Sequence, residues 1–244
     1  MTRSTPLSFI MNKFLLITVA VALASSGPLC RAQEGEIDAE ALLHAVRHST
    51  AQNEELTLKG QLREGRKKHP FRMTIRRTQI AFLFEDKPPH TVVLDLGADQ
   101  FRLRENHNGG QFTDVAPSDY GKAIRKTGVN YLDISLAYLY WPNPKYIKED
   151  VVSERITRLV EVKNPNPSGP YAKLLIWIDK QTGGLMRMQG YDKAGKLIKR
   201  MQVMEVQRVK RGGKKYWALE KMQIYTLDPK NGRVRSRTYM ELEK

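Results

Sequence analysis

From Leu56 onward most of the chain alternates apolar and polar residues with a period of two. Phe71, Met73 and Ile75 interleave with Arg72, Thr74 and Arg76, and the segments 56–63, 80–84, 91–96 and 100–104 continue the series. Such alternation turns one side of a strand to a core and the other to water. Turn-forming breaks separate the segments: Arg66-Lys67-Lys68, Lys87-Pro88-Pro89, Gly97-Ala98-Asp99 and Asn108-Gly109-Gly110. The pattern predicts an antiparallel meander. Strands are expected again from residue 145, with one over 154–162 and a proline-rich loop over 164–170. In YAKLLIWID, residues 171–179, Ala172, Leu174, Ile176 and Ile178 fall on one face and Tyr171, Leu175 and Trp177 on the other. A strand apolar on both faces needs cover on both. Gly183-Gly184, Ala194-Gly195, Gly212-Gly213 and Asn231-Gly232 mark later turns, and the strands 196–209 and 214–227 between them are long. Long strands joined by tight turns predict a strongly curved sheet or partial barrel.

Two segments depart from the period of two. Leu42, Leu43 and Val46 make an apolar helical stripe, with Asp38 as N-cap, Glu40 near the positive end of the helix dipole, and Ile37 and Leu42 spaced as a hydrophobic staple. This N-terminal helix is expected within 33–55, with a single sheet domain over 56–244. The second departure is YLDISLAYLYW, residues 131–141, where Asn130 is a candidate N-cap, Asp133 a capping-box acid, and Pro142 and Pro144 end the helix. Leu132, Ile134, Leu136, Tyr138, Leu139 and Tyr140 wrap most of its circumference, so it needs cover on more than one side. It reads either as a plug in the concave face of the sheet or as a lid over a lipid-sized cavity.

The N-terminus carries an address. Arg3 and Lys13 precede the apolar run 14–24, and a Ser-Gly-Pro break leads to Ala32. These are the parts of a secretory signal peptide over 1–32, with a cut expected between Ala32 and Gln33; Met11 is an alternative start. The run is shorter than the roughly 20 residues of a permanent membrane span. Cys30 offers an alternative, a lipid anchor, but Pro28-Leu29 are not the small residues such a site prefers. Export to the periplasm is the expectation.

Charge and composition narrow the chemistry. Lys and Arg number 41 against 26 Asp and Glu, giving +15; loss of Arg3, Lys13 and Arg31 with the signal lowers this to +12. Arg235, Arg237, Lys196, Lys199 and Arg200 suggest a basic surface, for which anionic lipid headgroups are the fitting counter-charge outside the cell and nucleic acid is not. The lone cysteine excludes a disulfide framework and thiolate metal sites. His44 and His48 have a metal-compatible spacing but no third ligand nearby, so no metal or other cofactor is expected. No nucleophile elbow, phosphate loop, dinucleotide fingerprint or zinc-protease helix is present, and a non-catalytic protein is expected. Methionine recurs at Met186, Met188, Met201, Met222 and Met240; it packs adaptably against variable apolar partners, so these positions mark either a loose core or a ligand-lining surface.

The segments YLDISLAYLYW at 131–141, YAKLLIWID at 171–179, GYDKAGK at 190–196 and RTYMEL at 237–242 resemble the LolA-like outer membrane lipoprotein-sorting protein family. The resemblance covers roughly residues 56–244. It implies an incompletely closed antiparallel barrel with helices over its concave apolar side, and carriage of acyl chains or lipoproteins between membranes. On that basis a monomeric periplasmic carrier is expected, with Leu132, Leu136 and Leu139 as lid and Trp177, Met186, Met188, Met201 and Met222 as lining. The alternative is a cell-envelope scaffold or interaction module in which the same fold has a filled core.

Overall fold

The first helix, α1 (Ala39–Ser49), starts where the sequence places its cap: the Asp38 carboxylate accepts the Glu40 N–H at 2.9 Å. It turns Leu43 and Val46 into the core. A computed structural model describes residues 37–49, 52–97, 99–166, 168–211 and 214–243. The signal segment, Cys30 and the Ala32–Gln33 cut lie outside them.

The strands β1 (Gln52–Glu64), β2 (Lys67–Arg77), β3 (Gln79–Phe84), β4 (His90–Leu96), β5 (Phe101–His107) and the short β6 (Thr113–Asp114) form the expected meander. β1 begins at Gln52, four residues earlier than its alternation shows, and its pairing with β2 shifts register between Gln52 and Leu56. The irregular pairing masks the period there. The turn after β1 sits at Gly65-Arg66, where Gly65 has φ 59°, so Lys67 and Lys68 open β2 rather than forming the turn.

A second meander follows: β7 (Lys145–Val152), β8 (Arg155–Lys163), β9 (Lys173–Asp179), β10 (Leu185–Tyr191), β11 (Leu197–Arg211), β12 (Lys214–Leu227) and β13 (Val234–Leu242). The two join through one non-sequential antiparallel pair, Gly60–Glu64 of β1 against Thr238–Leu242 of β13. The result is one sheet of 13 strands with β6 at one end and β7 at the other, so the sheet is open. It has the predicted class: mainly β, an incompletely closed antiparallel barrel with helices against it.

The topology dictates where the inserted segment lies. Residues 115–144 connect β6 to β7, the two free ends of the same sheet. A connection between opposite edges of a curved sheet must cross one face, and this one crosses the apolar face. It carries 3₁₀ turns at Pro117–Asp119 and Ile124–Lys126, then α2 (Tyr131–Ser135) and a further 3₁₀ helix at Ala137–Tyr140. The expected single helix over 131–141 is thus two short ones. The break is Leu136, in the left-handed region at φ 53°. Every residue from Tyr131 to Ser135 is buried.

Apolar packing falls into two clusters. The main one joins α1, α2 and the segment after it to the strand residues Phe71, Val92, Leu94, Leu174, Ile176 and Ile224. The second gathers Val152, Leu159, Trp177, Met186 and Val203. β9 therefore has cover on both faces, as its double apolar pattern requires. Tyr171 precedes the strand and packs in the main cluster, not beside Trp177. It fills the space over Gly190, where an added Cβ would lie 2.8 Å from its ring.

Candidate functional site

The inserted segment is fastened by a buried polar hub. The capping box of α2 forms as expected: Asp133 N–H donates to Asn130 Oδ1 at 2.8 Å and Asn130 N–H to Asp133 Oδ2 at 2.9 Å. The Asp133 carboxylate also accepts from the Tyr171 hydroxyl at 2.6 Å and pairs with Lys199 Nζ at 3.1 Å. Asn130 Nδ2 donates to Tyr171 Oη at 2.9 Å, and Lys199 donates to the Gly128 carbonyl. The side chains of Asp133 and Lys199 are 0% and 6% exposed. Lys199, expected on a basic surface, is instead an interior counter-ion, because the Asp133 charge at the α2 N-terminus is buried above β11. Gly128 N–H donates to Glu64 Oε2 at 2.7 Å and Thr238 Oγ1 at 2.9 Å, which ties the same segment to β1 and β13. Arg47 of α1 donates to the Leu139 carbonyl at 2.5 Å, and Tyr140 Oη to the Gly97 carbonyl at 2.9 Å.

The expected lid and lining residues divide between different surroundings. Leu132 and Leu139 are 1% and 0% exposed in the main cluster, and Leu136 is half-buried at the helix break. Met188 and Met201 pair across β10 and β11 and pack in the main cluster. Trp177 and Met186 pack in the second cluster, and Met222 touches both. Met186 and Met188 do not share one packing environment as strict alternation requires. The register of β10 against β9 shifts between Leu185 and Arg187, and the extra residue interrupts the period at Met186.

An open groove of about 730 Å³ runs between Leu56, Thr57, Leu58 and Lys59 of β1 and Val206, Gln207, Arg208 and Val209 of β11, with Glu220 and Glu243 also lining it. Strand lengths create it. β13 ends at Leu242, opposite Gly60, and its pairing with β12 ends at Lys221. Beyond those pairs the first half of β1 and the first half of β12 flank the space that a longer β13 would fill. Gln207 reaches into this gap and donates to the Glu243 carbonyl at 3.1 Å. Met204, Val206 and Trp217 are exposed on the same hairpin, with the Arg208 guanidinium 4.5 Å from the Trp217 ring centre.

A second polar cluster lies where α2 meets β4 and β5. His90 and His107 oppose each other across the two strands, with ring centres 4.2 Å apart. Their Nε2 atoms lie 2.9 and 3.1 Å from the same oxygen, Glu105 Oε2. The Tyr131 hydroxyl donates to that oxygen too and lies 3.3 Å from His90 Nε2. Burial lowers the His90 pKa against the opposing pull of Glu105. Burial pushes Glu105 up, but the hydrogen bonds from Tyr131 and His90 outweigh it and leave the carboxyl below its ordinary value. The helical His44/His48 spacing drew attention in the sequence; this cross-strand pair did not. The pairing follows from the β4–β5 register, in which His90 and His107 lie equally far from the 97–100 connection.

A third site, of about 290 Å³, lies beside Arg155 and Asp179. The Asp179 carboxyl is held at about 2, chiefly by its hydrogen bond to Arg155, with help from Thr182 against the effect of burial. Among the described residues, no helix is long and apolar enough to cross a membrane.

An open antiparallel sheet with its interstrand connection laid across the apolar face is the LolA-like fold, and solved structures agree. A putative outer membrane lipoprotein-sorting protein domain from Vibrio parahaemolyticus aligns with TM-score 0.58 and 12% identity over 84% of this chain and 90% of that one. A DUF1329 family protein from Desulfovibrio piger gives TM-score 0.57 and 14% identity over 84% and 90%. A LolA superfamily protein from Nitrosomonas europaea gives 0.53 and 11% over 85% and 92%. At these identities the likeness is one of fold. A family model described as an uncharacterized protein matches residues 108–244, and the chain belongs to that family. A search of curated proteins finds no match.

Proposed function

We propose that this protein is an exported, non-catalytic binder of lipid acyl chains or lipoproteins in the periplasm. The observation that carries the reading is the open groove between β1 and β11. Its volume of about 730 Å³ is in the range of small-molecule sites, and it has Leu56, Leu58, Val206 and Val209 for an apolar chain and Lys59 and Arg208 for an anionic headgroup. The fold shared with a lipoprotein-sorting protein domain supports the same reading, as does the net positive charge, +15 for the whole sequence and +12 without Arg3, Lys13 and Arg31.

In this reading the groove is the entrance and the inserted segment is the cover. The concave face under α2 is already filled by Leu132, Leu139 and Tyr138, so a chain entering there displaces the segment about Leu136 toward Met188, Met201 and Met222. Burial of each methylene contributes about 0.8 kcal/mol, which sets a long chain against the cost of uncovering that core. Trp177 and Met186 lie in the second cluster, where an acyl chain reaching them marks a different route. The same filled core favours a second reading, an envelope interaction module that never opens.

A photoreactive fatty acid tests both. Crosslinks at Leu58, Val206 or Met201 support the carrier. Crosslinks confined to the basic turns near Lys68 and Lys214 mean contact by charge alone and overturn it.

A further inference from the structure

We infer that His90, Glu105 and His107 form a binding site for one divalent transition-metal ion of the Zn²⁺ type. The argument begins with one oversubscribed atom. Glu105 Oε2 faces His90 Nε2 at 2.9 Å, His107 Nε2 at 3.1 Å and the Tyr131 hydroxyl, and these groups crowd one side of the carboxylate. A carboxylate oxygen offers two lone pairs, so with both Nε2 atoms protonated it faces three donors, one too many, and with either one unprotonated two acceptors face each other. A cation among the three ligand atoms removes that conflict, because both imidazoles then act as acceptors toward the metal.

The spacing fits. The candidate ligand atoms all lie within 4.8 Å of one another. Zn–N and Zn–O bonds of about 2.0–2.2 Å in a tetrahedron separate neighbouring ligand atoms by about 3.3 Å. The two contacts to Glu105 Oε2 need only a few tenths of an ångström of expansion to reach that value. Two imidazoles and one carboxylate are an ordinary donor set for zinc and leave a fourth position for solvent.

The sheet supplies the rigidity. His90 and His107 are register partners on β4 and β5, and Glu105 lies two residues from His107 on the same side of its strand. His107 is exposed while His90 is buried, so the ion enters from the His107 side. Both rings take the tautomer protonated at Nδ1, and coordination replaces their hydrogen bonds to Glu105. Tyr131 stays outside the coordination shell as a positioning residue that donates to the carboxylate. The nearby positive group is Arg125, whose charge is met by Asp86 at 3.2 Å. Because Tyr131 opens α2, the bound ion also fixes the start of the inserted segment to the sheet. The site stands independently of the lipid reading.

The test uses the exported chain, freed of metal with chelator and titrated with Zn²⁺ by calorimetry and with Co²⁺ by visible absorption. The expected result is one ion per chain and an intense four-coordinate cobalt spectrum. Outer-shell changes already weaken metal sites 10–100-fold, so loss of a ligand in His107→Ala should weaken binding at least about 100-fold. His107 is exposed, so this variant keeps the fold; Glu105→Gln should act likewise. His44→Ala should bind as the unaltered protein does. The inference is overturned by absence of stoichiometric binding, by His107→Ala binding unchanged, or by loss of the ion in His44→Ala.

Discussion

Replacing Lys199 by methionine removes one half of the buried Asp133–Lys199 pair while nearly preserving side-chain volume. The Asp133 carboxylate, 0% exposed, then keeps the Asn130 N–H and the Tyr171 hydroxyl but loses its counter-charge. Removing one partner of a buried pair costs about 3–5 kcal/mol, because the remaining charge stays out of water. For a domain of this size that lowers the melting temperature by on the order of 10 °C. Asp133→Asn keeps one acceptor oxygen, enough for either the Asn130 N–H or the Tyr171 hydroxyl because the carboxylate uses a different oxygen for each, and strands the Lys199 ammonium against the Gly128 carbonyl. The double variant has no buried charge at either position, so its cost should fall short of the sum of the single costs by about 2 kcal/mol. Urea unfolding followed by circular dichroism measures all four proteins; the midpoint should move and the slope should not. A Lys199→Met cost below about 1 kcal/mol, or strict additivity of the two changes, would refute the idea that this pair fastens the inserted segment.

Three further outcomes are expected. Leu139→Ala, at a fully buried position, should cost about 2–5 kcal/mol in urea unfolding, whereas Leu136→Ala, at the half-buried break, should cost about 1 kcal/mol and weaken acyl-chain retention more than it lowers the melting temperature. Asp179 is held at about 2, below its ordinary 3.8, so it stabilises the fold above about pH 4 and that contribution is lost as pH falls toward 2. The shift corresponds to about 2 kcal/mol at most, and the solvent contact of Arg155 reduces it, so Asp179→Asn should flatten the acid limb of a stability–pH profile by about 1–2 kcal/mol. N-terminal sequencing of protein exported by a Gram-negative host should begin at Gln33; an intact Met1 or Met11 would contradict the signal reading, and an acylated Cys30 would favour the anchor.

The sheet was legible because its signals are local. Alternation at Phe71, Met73 and Ile75 and turn residues such as Asn108-Gly109 each report a strand or a reversal without reference to distant chain. The capping box at Asn130 and Asp133 was legible for the same reason. What escaped depends on partners far along the chain. Leu136 gives no sign that it takes the left-handed conformation, since leucine has no preference for it; the packing of Leu132 and Leu139 on either side imposes it. The β10 bulge that separates Met186 from Met188 arises from the register against β9. Lys199 reads as a surface cation until the strand order brings it under Asp133. The groove follows from the early end of β13 relative to β1 and β12, and the His90–His107 pair from the β4–β5 register; both are visible only once strands are paired.

Native mass spectrometry of the chain purified from the envelope of a Gram-negative host, without added lipid, tests the carrier reading most directly. The account predicts a one-to-one adduct with the mass of an acyl lipid, reduced in Val206→Asp, a change at an exposed groove position that leaves the core intact. A lipid-free protein that also gains no adduct after incubation with anionic vesicles would contradict it and leave the filled-core interaction module as the function of this fold.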